Sequence, residues 1–368
     1  MEHQHLEEDY LYEDEDALSE LRELRSQIDY ARKNGKIEKA LFLYMDYVHC
    51  DVFRLYCKNA IKILPEFMEL LDQYPEYYDH RINVMISYKW VILAIDDFLW
   101  YSLDDLVDFY GQYHDLCLKY GYSLRTYYQF LWNFLDSHTE LQPLFDITIE
   151  DAHKKYRDEP TDRLSDRECI EAFGEISYAL NIDNEEKKAF EILNPYLSGE
   201  KEGYAMPHHA YYIFAKHYYK NKDKTSMLKY AKLALEGYDQ QFPNCSTKIS
   251  VRSQLFLFLS FRYPQKAIRI FKKILPFVPD CQSLFVRMVF YRSAYKMFVQ
   301  LEKIDYYELY LDLPASIAGA QLNNSGKYTI TELKELFYDR AKNIAEKYDK
   351  RDRETSHTDM LNEIICPE

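Results

Sequence analysis

Glycine and proline are scarce, 9 and 12 in a chain of 368 residues. That is too few for the turn-rich connections of an all-β fold or for the phosphate loops of most nucleotide enzymes. Long apolar runs are missing as well, and no stretch reaches the roughly 18 residues of a membrane span. Lys and Arg are absent from Met1–Asp16, the reverse of the basic start of a signal peptide. The expectation is a soluble, cytoplasmic protein. Seven cysteines, Cys50, Cys57, Cys117, Cys169, Cys245, Cys281 and Cys366, are scattered without a C-x-x-C pair matched by a second. Cys50 and Cys57 could share a helical face, and reduced thiols are expected throughout.

The motifs that carry common chemistries are missing too. No G-x-x-x-x-G-K-[ST], no G-x-G-x-x-G after a strand, no G-x-S-x-G and no H-E-x-x-H occurs, and each would supply geometry that its reaction requires. The acidic clusters Asp96-Asp97, Asp104-Asp105 and Asp146 to Asp151 read as helix starts and solvated faces rather than acid-base pairs. The formal net charge is −15, which repels a phosphate backbone or an anionic membrane surface. Neither nucleic acid nor membrane is an expected partner. The same field would steer in a basic protein.

What is present is helical periodicity and tyrosine. Aromatic residues make up 16%, with 36 tyrosines, which suits half-buried helix surfaces and adaptable contact faces; codon bias toward Tyr, Lys and Asn shares the explanation. Leu18, Leu21, Leu24, Ile28 and Ala31 form one apolar stripe, Asn34-Gly35 ends it, and a second helix follows from Lys36. Ser102 with Asp105 reads as another helix start.

Repeats emerge further on. Phe173, Ile176, Ser177 and Leu180, followed by a polar turn and then Ala189 and Leu193, place large and small residues as a tetratricopeptide hairpin does. Tyr211, Phe214, Ala215 and Tyr218, the turn Asn221 to Asp223, then Met227, Ala231 and Ala234 repeat the pattern. Phe256, Leu259, Ala267, Phe271 and Ile274 make a weaker third unit. The predicted fold is all-α, a right-handed α-solenoid of stacked antiparallel helix hairpins (TPR-like) with a C-terminal capping helix. Its divisions are an acidic disordered arm at 1–16, degenerate N-terminal hairpins at 17–160, TPR-like repeats at 161–312, and a linker, capping helix and flexible tail at 313–368. Thr329 and Glu332 form the capping box that opens the capping helix.

Tyr88-Lys89-Trp90, Tyr120 to Arg125, Leu164-Ser165-Asp166, Pro207-His208, Leu313-Pro314, Gly326 with Tyr328, and Tyr348-Asp349 with Arg351 together resemble a bacterial group of tetratricopeptide-type proteins over most of the chain. The resemblance implies a helical-repeat scaffold without an assigned activity. The group carries extra cysteines near 164–166 and before Pro207, where this chain has only Cys169 and Tyr204, a departure that argues against a shared metal or redox role.

The densest aromatic stretch, Tyr204 to Lys224, holds His208, His209 and His217. His209 and His217 are two helical turns apart, about 12 Å of rise, too far for one helix to offer both to a single zinc. No cofactor or metal is expected. With Tyr211, Phe214, Ala215 and Tyr218 turned into the hairpin, the opposite face shows His209, Tyr212, Lys216 and Tyr219. Glu171, Tyr178 and Asn181 of the preceding unit and Arg252 of the following one would stand beside them. The expected function is a non-enzymatic scaffold that binds a protein or peptide in this Tyr-rich groove, as an immunity or adaptor protein facing a basic partner. A peptide-responsive bacterial regulator is the alternative, and a helical enzyme without a recognisable motif the third reading.

Overall fold

The computed structural model describes residues 14–363 apart from 56, 204, 242–245, 320–322 and 324. Residues 1–13, and with them most of the expected acidic arm, lie outside the described residues. Asp14 and the two acids after it are not arm but helix start. Asp14 accepts the Ala17 amide at 2.9 Å, and Glu15 and Asp16 occupy the first turn of α1 (Glu15–Lys33), where the helix dipole favours negative charge.

The chain divides into two compact units, Met1–Asp166 and Arg167–Glu368. In the first, α1 and α2 (Ile37–Arg54) form the predicted hairpin, with Gly35 at φ 66° in the turn. α3 (Ala60–Gln73), α4 (Arg81–Ile95), α5 (Leu103–Tyr120), α6 (Arg125–Ser137), the short α7 (Gln142–Phe145) and α8 (Ile149–Asp158) follow. Ser102 and Asp105 make both bonds of a capping box on α5, and Glu150 and Asp151 lie in the first turn of α8. Asp105 completes a cap, whereas Thr148 caps α8 and its acids occupy the first turn, where the helix dipole favours them. Cys57 lies beyond the end of α2 at φ 56°, so it does not share a helical face with Cys50.

Residues of the first unit that carried the family resemblance converge on one loop. Lys89 of α4 donates to the Leu164 carbonyl at 2.7 Å and pairs with Asp166 at 2.6 Å, and Gln129 of α6 donates to the same carboxylate at 2.9 Å. Asp162 accepts the Ser123 amide at 2.8 Å, and Arg125 donates to the Tyr156 and Glu159 carbonyls. A half-buried ion pair with additional hydrogen bonds fixes this loop before the second unit begins. The predicted break after Pro160 and the observed division after Asp166 both fall in it.

The second unit is built from hairpins: α9 (Glu168–Asn181) with α10 (Glu186–Leu197), α11 (His208–Lys220) with α12 (Lys224–Gln241), and α13 (Ser246–Ser260) with α14 (Pro264–Ile274). The long α15 (Leu284–Lys303) then pairs with α17 (Ile330–Asp352). Helices α9, α11, α13, α15 and α17 pack in that order, each on the next. Ala189, Met227 and Ala267, the equivalent positions of the sequence repeat, are each fully buried and each the fourth residue of the hairpin's second helix. That position is enclosed because two helices meet there.

The C-terminal part has more order than a linker and a tail. β1 (Glu308–Tyr310) pairs antiparallel with β2 (Lys327–Thr329), Leu309 opposite Tyr328, and the one-turn α16 (Ala315–Ala318) lies between them. Thr329 and Glu332 form both bonds of the predicted box on α17. The expected flexible tail contains α18 (Ser356–Asn362). Asp349 of α17 holds it by accepting the His357 amide at 2.9 Å and the Thr358 amide at 3.0 Å. Among the described residues no helix is long and apolar enough to cross a membrane.

Candidate functional site

Helix α11 has two aromatic sides. On one, Phe214 stacks on Phe190 of α10 at 4.6 Å between centroids and on Tyr230 of α12 at 5.1 Å. Tyr218 lies nearly parallel to Tyr230, 8° between planes, and its hydroxyl donates to Glu186. This side is the hairpin's own core. The register set by the large and small residues therefore turns His209, Tyr212, Lys216 and Tyr219 toward the neighbouring first helices.

There the His209 ring meets Phe173 of α9 at 4.5 Å and Tyr212 at 5.8 Å. Tyr212 is half-buried, hydrogen-bonded to Gln254 of α13 and adjacent to Arg292 of α15. Burial raises its phenol above the usual range, against the pull of Gln254 and Arg292. Tyr219 packs on Phe258 at 4.9 Å and on Phe261. Lys216, Glu171, Asn181 and Arg252 are half-buried, with Asn181 donating to the Ser177 hydroxyl at 3.0 Å.

Two expected contact residues are corrected by their burial. Tyr178 is 5% exposed and Tyr219 8%, the latter covered by Phe258 and Phe261. They build the wall rather than face outward from it.

The three histidines do not converge. His208 Nδ1 is 3.0 Å from the Leu233 carbonyl, His217 Nε2 is 2.9 Å from the Asn221 amide nitrogen, and His209 lies among rings. Burial lowers His209 to about 4, so its imidazole is neutral at pH 7 and contributes a polar ring, not a charge.

Sequence reading missed the α15 members of this surface. Arg292 is half-buried between Tyr212, Tyr219 and Met360 of α18, and its guanidinium donates to the Met360 thioether at 3.6 Å. One turn on, the Lys296 amine donates to the Met360 carbonyl at 2.7 Å. Desolvation lowers both from their ordinary values, Arg292 against the attraction of the two phenols. Lys296 falls to about 8, with Arg292 adding to the shift and Glu363 opposing it. The signal available was three cations, Arg287, Arg292 and Lys296, the last two one turn apart, in the largely apolar stretch 284–301. Such a pair is costly to bury without a reason.

Lys296 makes a measurable pH dependence. Below about pH 8 the amine is charged in both folded and unfolded chains, and the folded state carries the full cost of burying it. Between about 8 and the unfolded value near 10.4 the unfolded chain binds more protons, so stability rises with pH. Subtracting the unfolding free energy of Lys296→Met from that of the wild type should give a difference that rises by roughly 1–3 kcal/mol from pH 7 to pH 10.5. A flat difference contradicts the burial of a charged amine here.

Asp349, Glu354 and His357 place ligand-type atoms within 4.8 Å of one another. Both Asp349 oxygens are already committed to three donors of the first turn of α18, the His357 and Thr358 amides and the Thr358 hydroxyl. Asp352 beside them pairs with Arg351 at 2.6 Å. This is the chemistry of a buried helix cap, and it fixes α18 against α17.

No family model, curated protein or solved structure matches the chain. The likeness to tetratricopeptide-type proteins accordingly rests on the quoted residues alone.

Proposed function

We propose that the second unit is a TPR-like, right-handed solenoid whose first helices form a face that binds a protein or peptide segment, and that the protein is a non-enzymatic scaffold. One observation carries the reading. His209, Tyr212 and Lys216 of α11 stand between Phe173 of α9, Gln254 of α13 and Arg292 of α15, so aromatic, amide and cationic groups from four successive first helices share one surface. Extended segments are held by stacking on such rings and by hydrogen bonds from such edges. An immunity or adaptor role fits a protein of net charge −15, whose field accelerates encounter with a basic partner.

The test compares proteins retained from native cell extract by immobilised wild type and by Tyr212→Ala/Lys216→Ala. Loss of a half-buried aromatic anchor at a binding centre costs about 2 kcal/mol or more, so a specific partner should be retained at least tenfold less. Equal retention, with helicity unchanged by circular dichroism, removes the face from the proposal.

A further inference from the structure

Helices α2 and α4 of the first unit pack side by side and run in the same direction. Phe42 meets His80, just before α4, at 5.0 Å between centroids, and Phe53 near the other end meets Trp90 at 5.8 Å. His49 joins them, 4.7 Å from Phe53 and 5.1 Å from Trp90. Positions 42, 49 and 53 of α2 fall on one helical face, as do 90 and 93 of α4. A solvent face is ordinarily polar. Here Phe42 is 46% exposed, Phe53 54% and Leu93 61%, with Trp90 half-buried among them. Single exposed apolar residues are ordinary, whereas rings in mutual contact make a continuous patch, the mark of an interaction site.

The charge around the patch says what it can receive. The first unit, Met1–Asp166, holds 34 Asp and Glu against 17 Lys and Arg, a net −17, so the acid excess of the whole chain belongs to it. Exposed Asp46 lies between Phe42 and His49 on α2, and Glu38 is 3.5 Å from His80. Of the two nearest cations of α2, Arg54 is engaged by Asp14 and Glu20, and Lys39 stands one turn before Phe42. A second copy would bring another −17 unit against the first, and an anionic lipid surface or a nucleic acid meets the same repulsion.

We propose that the α2–α4 face is a docking surface for an amphipathic helix with a Lys- and Arg-rich polar side, a second interaction surface independent of the α11 face. Two packed helices leave a groove between their ridges, into which a third fits its apolar stripe. From Phe42 to Phe53 the strip runs about 16 Å, room for three turns of a partner. Phe53, Trp90 and Leu93 anchor the apolar side, where aromatic residues contribute most. Asp46 and Glu38 stand at the rim for its cations, and the field of the first unit steers them in.

The probe is a labelled helical peptide of Leu and Lys with one apolar face. It is compared with a scrambled peptide of the same composition and with its Leu–Glu counterpart, by fluorescence anisotropy against the full-length protein at physiological salt, where diffuse attraction is screened. The amphipathic cation should bind at least tenfold more tightly than the scrambled one, and the acidic peptide not at all. Phe53→Ser/Leu93→Ser should remove that preference. Both side chains are more than half exposed, so the fold should be kept, and circular dichroism checks this. Leu93→Lys, which sets a cation in the patch, should weaken the peptide more than Leu93→Ser does. Equal affinity for wild type and Phe53→Ser/Leu93→Ser, or for amphipathic and scrambled peptides, overturns the proposal, as does no binding. A wild-type dimer in sedimentation that the double variant dissolves assigns the face to a second copy and overturns it too. Flotation of the wild type, but not the variant, with phosphatidylserine vesicles does the same in favour of a lipid surface. If Tyr212→Ala/Lys216→Ala loses the peptide while Phe53→Ser/Leu93→Ser keeps it, the α11 face is the site and only this proposal fails.

Discussion

Gly237→Ala destabilises the second unit by about 2 kcal/mol. Gly237 lies in α12 where it crosses the start of α11. A Cβ there would sit 1.9 Å from His208 Cγ, 2.0 Å from Cδ2 and 2.5 Å from His208 Cβ. Rotation of the imidazole does not clear the third of these contacts, so the helices must separate or His208 must leave the Leu233 carbonyl it meets at 3.0 Å. With three contacts this short the overpacking cost falls at the upper end of the typical 1–3 kcal/mol, about 3, against which alanine's better helix propensity returns about 1. Hydrogen exchange should show lost protection in α11 and α12. His208→Ala removes the two nearest ring atoms, so the double variant should recover part of the loss, a coupling of about 1 kcal/mol. Additive effects, or no loss in the single variant, would show that this crossing is not tight.

The second large effect lies at the corner between α2 and α3. Asp51 is 0% exposed and accepts the Asn59 amide at 2.8 Å, the Ala60 amide at 2.6 Å and the Asn59 side chain at 3.1 Å. These are orphan donors at the start of α3, which needs an acceptor from elsewhere because Asn59 makes no side-chain cap of its own. Asp51→Ala leaves the two main-chain amides without it, at about 1–3 kcal/mol for each buried group left unpaired. Burial raises the Asp51 carboxyl above its usual range, so removing the charge returns part of that cost, and a net loss of about 3 kcal/mol is expected. Asp51→Asn keeps one acceptor oxygen and should lose less than half as much. Trp90, Trp100 and Trp132, the chain's three tryptophans, all lie in the same unit. Their fluorescence during urea unfolding reads the difference directly, and equal midpoints for wild type and Asp51→Ala would contradict the capping role.

How much of this was legible depended on whether a contact is local in sequence. The α11–α12 hairpin was readable because Phe214, Ala215, Met227 and Ala231 alternate bulk and smallness at helical spacing, and packing enforces that pattern within one unit. The capping boxes of α5 and α17 were readable for the same reason, since four consecutive residues contain the whole motif. The strands β1 and β2 are three residues each, too short for alternation to stand out. Helix α18 is seven residues of mixed polarity, held by Asp349 rather than by its own periodicity.

The proposed binding face divided in the same way. His209, Tyr212 and Lys216 followed from the register of a single helix. Arg292 did not, because the apolar run around it hides which face meets α11 and α13. Nothing in the spacing says that Met360, 68 residues later, returns to the same place. Net charge carries no information about this surface. A value of −15 describes the field far from the molecule, whereas the α15 surface is set by two cations whose neighbours are phenols, an amide and a thioether.

Site-specific photo-cross-linking in the native cell tests the central claim most directly, with a photoreactive residue placed at Lys216 on the α11 face or at Lys229, exposed on α12. A discrete partner adduct at position 216 and none at 229 is the predicted result; the reverse, or equal labelling at both, would contradict binding through the first-helix face.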